Sequence, residues 1–359
     1  MQTAIVIPCR NEERSVAATV RSLGFGTPGV APPADTTLIL VDNASIDSTL
    51  PILEGIRQAS APGSVQVAQE PERGYIPPRH RGIELAKALA ERSGVSADDL
   101  LILQADADTH YEPGYLAAMQ GAARSAGPGV LIEGGVHPPH RFLTSHPGFH
   151  VLADEVDDSV AAIGAPDADD VIVDDKVSGF TLATYLDWGG LRREYNSHGA
   201  ELHAETARLY IRGRLHGGHR VRVVDAFAAP SRRKILRNPV RHFATAGFPR
   251  EEVWWRDWSR RHPGLRDLAA FESPEARAAL APAIATRRAH LIVLFTALPL
   301  YLDRELNPSR PLTRSDPLVE TFIGQLSGAP QSATDSLAPL FERAFVLLED
   351  WTERFAALG

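Results

Sequence analysis

Over its first 126 residues the chain alternates short apolar, β-branched runs with longer stretches of helical periodicity, and that alternation leaves few folds open to it. Ile5–Ile7, Leu38–Val41, Val65–Ala68 and Leu100–Leu103 read as strands. Each leads into a helix, from about Glu12, Ser48, Arg79 and Glu112. Strands buried on both faces and joined by crossover helices form a parallel sheet. Gly24 to Asp35 and Pro71 to Pro78 are Gly/Pro-rich loops. Further strands are expected near Val130–Ile132, at Val177–Ala183 and at Arg220–Val224, with a helix over Ala200–Leu215. Gly127–His150 otherwise lacks periodicity. From Asn238 onward Trp, Ala, Leu and Arg recur at helical spacing, so the last third reads as all helical.

Open sheets of this kind bind ligands beyond the carboxyl ends of their strands. Four polar segments fall there. The fourth strand runs into Gln104-Ala105-Asp106-Ala107-Asp108. On an extended backbone Asp106 and Asp108 share a face, and two hard oxygen donors side by side suit a divalent cation carrying a diphosphate. Aspartate after a strand is also ordinary loop chemistry. The first strand ends in Pro8-Cys9-Arg10-Asn11-Glu12-Glu13, where Pro8 stops the ladder. The second ends at Asp42, free to accept hydrogen bonds from a base, while Asp47 and Ser48 read as caps of the next helix. The third, Gly74-Tyr75-Ile76-Pro77-Pro78-Arg79-His80-Arg81-Gly82, opens a helix whose free N–H groups and basic side chains suit a phosphate; a solvated basic turn is the alternative.

With 359 residues the chain can bury a large core, as one domain with an appendage or as two domains. A net charge of -8 argues against a nucleic-acid partner. A single cysteine, Cys9, excludes an internal disulfide and a multi-cysteine zinc site. The chain opens on a strand-like Thr3–Ile7 and not on a signal-peptide pattern. The longest apolar stretch, Ala289–Leu302, is shorter than a bilayer span and holds Pro299, so a buried helix is expected. No transmembrane segment and a cytoplasmic location follow as expectations.

His137, His140, His146 and His150 have no nearby cysteine and no expected helix to fix two metal-binding rings on one face, so the segment reads as a loop over the site. Asp167, Asp169, Asp170, Asp174 and Asp175 lack the closing glutamate of a calcium loop and read as a solvated acidic loop. Trp254, Trp255 and Trp258, interleaved with Arg256, Arg260 and Arg261, suit packing between helices, with peripheral membrane contact as the alternative. Ser327–Thr334 reads as a loop before a last helix capped at Asp335-Ser336.

In order and spacing, Pro8-Cys9-Arg10-Asn11-Glu12, Val41-Asp42-Asn43-Ala44-Ser45-Ile46-Asp47-Ser48-Thr49, Arg79-His80-Arg81-Gly82 and Asp106-Ala107-Asp108 resemble the family-2 glycosyltransferases of the GT-A fold. The likeness continues through Val177–Ala183, Gly189-Gly190, Ala204-Glu205-Thr206, Gly217–Val221 and Pro230-Ser231-Arg232-Arg233, a coverage of residues 1 to about 235. The resemblance implies that Asp42 holds the base of a UDP- or GDP-linked sugar, with Pro8, Arg10 and Glu12 lining the same pocket. Arg79 would approach the diphosphate, Asp106 the ribose or metal, and Asp108 would ligate Mg²⁺ or Mn²⁺. Glu205 would be the general base toward an unknown acceptor, with inversion at the sugar carbon. Gly179, Ser231, Arg232 and Arg233 are candidate phosphate or acceptor contacts. Thr206 stands where relatives carry a second carboxylate, and Glu201, one helical turn before Glu205, is the competing base.

The expected molecule is therefore α/β: a Rossmann-like, mostly parallel GT-A sheet flanked by helices over 1–235, and a helical domain over 236–359 that serves the acceptor site or a homo-oligomer. It has the features of a bacterial, metal-dependent inverting glycosyltransferase. The alternative is a nucleotide-sugar binding or scaffold protein of the same fold whose catalysis has decayed. A nucleotidyltransferase lacks its Gly-rich phosphate loop here. An aspartyl phosphatase needs threonine where His110 stands.

Overall fold

A computed structural model describes the chain except residues 164–167, 265–266, 307–308, 310–314, 328–335 and 359. Asp167, most of the Ser327–Thr334 loop and Asp335 lie outside the described residues. The four early runs are strands: β1 (Gln2–Cys9), β2 (Thr36–Asp42), β3 (Val65–Gln69) and β4 (Leu100–Gln104). β5 (Thr109–Tyr111), β6 (Val130–Val136), β7 (Ser178–Thr181) and β8 (His219–Pro230) complete one eight-stranded sheet in the order β3-β2-β1-β4-β7-β6-β8-β5. β3, β2, β1 and β4 are parallel, as are β6 and β8, whereas β7 runs antiparallel to both neighbours and β5 antiparallel to β8.

Alternation along the strands divides the core into two layers. Ile5, Ile7, Leu38, Leu40, Leu101 and Leu103 face Val16, Val20, Leu53 and Met119 on one side. Ala4, Val6, Ile39, Val41 and Ile102 face Ile76, Ile83, Ala86 and Trp188 on the other. The helix Ile76–Arg92 lies so close to the sheet that a Cβ on Gly82 would stand 2.3 Å from Val6 Cγ1 and 3.3 Å from Val41 Cγ2. Burying apolar surface on both faces at about 25 cal/mol per Å² is what holds these layers together.

Several boundaries differ from expectation. The helix expected from Arg79 begins at Ile76, because Pro77 and Pro78 fit the first turn, where no N–H is required. The same two prolines remove donors that a phosphate would have used. Gly127–His150 contains the helix His140–Ser145 and the start of Pro147–Ala161, so His140 and His150 sit on helices, while His137 follows β6 and His146 lies between the two helices. The helix expected over Ala200–Leu215 starts at Glu205, and Glu201 lies in a β-bridge with Tyr195. Glu201 and Glu205 therefore share no helical face. Ser48 precedes the helix Thr49–Ala59 without a side-chain cap bond; Asp47 accepts the Thr49 N–H at 3.0 Å instead.

The chain divides into two compact units. The first, residues 1–137, 173–193 and 203–231, holds the sheet; the second, residues 138–172, 194–202 and 232–359, is helical. In the helical unit Trp254 and Trp258 are buried, and the Trp258 indole donates to Thr286 Oγ1 at 3.0 Å. The helical run Ala278–Glu305 is 28 residues long, longer than the sequence suggests, and by length and composition could cross a membrane; 56% of its most apolar stretch is buried within the protein. It widens to a π-turn over Val293–Ala297 just before Pro299, whose nitrogen has no hydrogen to donate.

Candidate active site

Arg79, on the first turn of its helix and 5% exposed, is the centre of an acidic cluster in the sheet unit. Its Nη2 donates to Asp106 Oδ1 at 3.1 Å and to Asp175, and its Nε lies 3.3 Å from Glu205 Oε1. Lys176 pairs with Asp174 beside it. Burial works against the charge of Arg79, yet Asp175, Asp106 and Glu205 together hold it firmly protonated. The carboxylates fare differently. Asp106 is raised above the usual range by burial and then by repulsion from Asp175, against the pull of Arg79 and Lys176. Glu205 is raised by the same two causes, opposed by Arg79. Asp174 is raised by burial and only partly relieved by Lys176. Five carboxylates, Asp108 included, thus act on one another around Arg79 and Lys176, with Arg208 also drawing on Glu205. Among the described residues no three His, Cys, Asp or Glu side chains are grouped so as to hold a metal ion.

The aspartate pair is positioned by a turn and not by strand alternation, since β4 ends at Gln104. Ala107 O accepts from Thr19 Oγ1 at 2.9 Å, Asp108 O accepts the Ser231 N–H at 2.9 Å, and the Asp106 N–H donates to the Tyr111 hydroxyl at 3.1 Å. Asp42 is buried at the end of β2; its Oδ2 accepts the Ser45 N–H at 3.4 Å. Asn11, at a positive φ of 56°, ties the first loop to the second through Ser45 and Ile46, and Glu12 and Glu13 add bonds to Thr49 and Asp47. Asp42 Oδ1 and Arg79 Nη1 are among the buried polar atoms without a hydrogen-bond partner among the described residues. A buried polar atom without a partner calls for a water, an ion or a ligand to satisfy it.

Other candidates fall elsewhere. Pro8 and Glu12 flank the Asp42 loop, and Arg10 is exposed there. Gly179 lies inside β7, where a Cβ would stand 2.5 Å from Leu103 Cδ2 and 3.0 Å from Ile102 O; close strand packing explains it. Ser231 adjoins Asp108 through its backbone, while Arg232 and Arg233 begin the helical unit, Arg233 exposed. Thr206 is buried and accepts from Gln104 Nε2 at 3.0 Å, so the position of the second carboxylate has become a sheet contact. His137 pairs with Glu112 and belongs to the sheet unit, whereas His140, His146 and His150 belong to the helical one.

Asp174, Asp175 and Lys176 correct the expectation of a solvated acidic loop. Lys176 and both aspartates are part-buried against the Arg79 cluster. The available signal was a lysine inside an acidic run flanked by Val171–Val173 and Val177, a pattern of burial and not of solvation.

Residues 4–149 match the family model described as Glycosyl transferase family 2. Among curated proteins none matches it. Similar solved structures include TarS 1–349 of S. aureus, 15% identical over 99% of this chain and 92% of that one, with a TM-score of 0.46. Another is the mannosyltransferase PcManGT from Pyrobaculum calidifontis in complex with GDP-Man and Mn²⁺, 14% identical over 99% and 84%, TM-score 0.45. A third is glucosyl-3-phosphoglycerate synthase from Mycobacterium tuberculosis in complex with UDP, 13% identical over 78% and 80%, TM-score 0.38.

Proposed function

We propose that the chain is a metal-dependent, inverting glycosyltransferase that takes a sugar from a UDP- or GDP-linked donor to an acceptor hydroxyl or other nucleophile. The observation that carries this reading is the buried Arg79 cluster: a carboxylate in need of a cation, Asp106, and a carboxylate suited to be a base, Glu205, share one guanidinium. Asp42 accepts from the base with its unpartnered oxygen, next to Pro8, Arg10 and Glu12. Asp106 and Asp108 would hold Mg²⁺ or Mn²⁺, joined by the donor's phosphates. When bound, the cation offsets charge gathering on the leaving nucleoside diphosphate.

Glu205 takes the proton of the acceptor hydroxyl while the acceptor oxygen bonds to the anomeric carbon and the bond to the diphosphate oxygen breaks. Its raised affinity for protons moves it toward working pH, where a general base is most effective. Arg79, wrapped by three carboxylates, orders them and keeps its unpartnered Nη1 for the donor's diphosphate.

Titration calorimetry with a panel of UDP- and GDP-sugars, with and without Mn²⁺, tests the reading. Binding of one donor that strengthens with Mn²⁺, followed by slow donor hydrolysis, supports it. No binding to any donor overturns it. Binding without turnover, by wild type as by Glu205→Gln, favours the scaffold alternative.

A further inference from the structure

We infer that Asp175 is a positioning residue for the reaction: by sharing Arg79 Nη2 with Asp106 it sets the place of the Glu205 carboxylate. This rests on the proposed role of Glu205. Arg79 reaches Glu205 through Nε and reaches Asp106 and Asp175 through the same Nη2, so the direction of the guanidinium is decided jointly by the two aspartates. Without Asp175, Asp106 alone would pull Nη2, and Nε would turn with it.

The segment that carries Asp175 is built to hold still. The Asp174 N–H donates to Glu133 Oε1 at 2.6 Å, and buried Glu133 on β6 is itself held by Arg220 at 3.0 Å. The Asp175 carbonyl accepts from Ser178 Oγ at 3.0 Å. The buried Tyr111 hydroxyl donates to Lys176 O at 2.8 Å while accepting the Asp106 N–H, so one phenol sets the spacing between the acidic segment and the Asp-x-Asp turn. Three anchors from β5, β6 and β7 surround a segment of three residues. A segment needed only for solubility would require none of them.

The test compares wild type with Asp175→Asn and Asp175→Glu by donor hydrolysis, donor titration and the crystal structure of each. Asp175→Asn is expected to lower kcat about 10²-fold, as misplacement by about 1 Å does, with donor KM and Kd within about twofold of wild type. Asp175→Glu, which keeps the charge, is expected to recover most of the loss. Equal kcat in all three, or a loss in KM with kcat unchanged, overturns the inference. The crystal arm is independent of turnover: Arg79 Nε still at hydrogen-bond distance from Glu205 in Asp175→Asn overturns it even if wild type proves inactive, and displacement of Nε supports it. A wild type that binds no donor rejects the proposed function alone.

Discussion

Arg79 in the sheet unit and Arg304 in the helical unit are both held by carboxylates, and their surroundings are opposite. Arg304 meets Glu320 in a two-pronged pair with both distances at 2.7 Å, and Glu320 is pushed down to about 2 by those bonds. One cation satisfies one anion. Around Arg79 three anions share one cation, and Asp106 and Glu205 are raised instead of lowered. A balanced pair joins helices; a cluster left short of positive charge is poised to take more of it from a ligand.

Removing each cation is the most severe way to break this contrast. Arg79→Met strands three part-buried carboxylates and is expected to cost about 3–5 kcal/mol in urea unfolding at pH 7, together with donor turnover. A cost below about 1 kcal/mol would mean that the cluster is open to water.

Glu205→Gln keeps the shape of the side chain and removes the base. Donor turnover is expected to fall about 10²–10⁴-fold with donor affinity retained, as read by chromatography of the released nucleotide and by calorimetry. The same variant sharpens the contrast through pH. Because folding raises the Glu205 value, its contribution to stability is present below the ordinary glutamate range and is lost as pH rises through the folded value. Relative to wild type, Glu205→Gln should therefore gain stability in urea unfolding as pH rises above the ordinary glutamate range. A relative stability that falls over that range contradicts the assignment.

Mn²⁺ should raise the melting temperature through the sheet unit's charge surplus. At about 100 times its dissociation constant a ligand of the folded state adds about 2.7 kcal/mol, and Asp108→Asn should abolish the shift. A shift of equal size in that variant would move the cation elsewhere.

Glu320→Gln completes the comparison with the smallest effect. The pair is more than a third exposed on its carboxylate side, so solvent screening keeps the loss under about 1 kcal/mol at pH 7. Its sign is opposite to that of Glu205: the lowered value makes the contribution present above the ordinary glutamate range and lost as pH falls through about 2. Urea midpoints that converge with wild type in acid check it.

The strands, their order of use and the residues at their carboxyl ends were legible because period-2 burial and crossover spacing are local properties. Asp42, Arg79 and Asp106 emerged from that reading and Glu205 from the family resemblance, and Arg79, Asp106 and Glu205 meet in space. What local pattern hides is pairing across long separations. The Arg79–Asp175 contact joins residues 96 positions apart, and nothing near Asp175 advertises a guanidinium. Helix starts misled for a similar reason: Ser48 has the composition of a cap, yet Asp47 supplies the bond, since loop geometry decides which oxygen reaches the N–H. The helical unit's segments at 138–172 and 194–202 are likewise assembled by packing across distant stretches of chain.

Gly82 carries a consequence that no polar contact reveals. Three positions after Arg79, it lets a helix rest directly on the valines of two strands. Even a methyl group there would act as a wedge under the helix, lifting its opening turn and drawing the arginine out of its socket. The chemistry at the rim is thus levelled by the smallest side chain in the protein, one hydrogen acting as the shim.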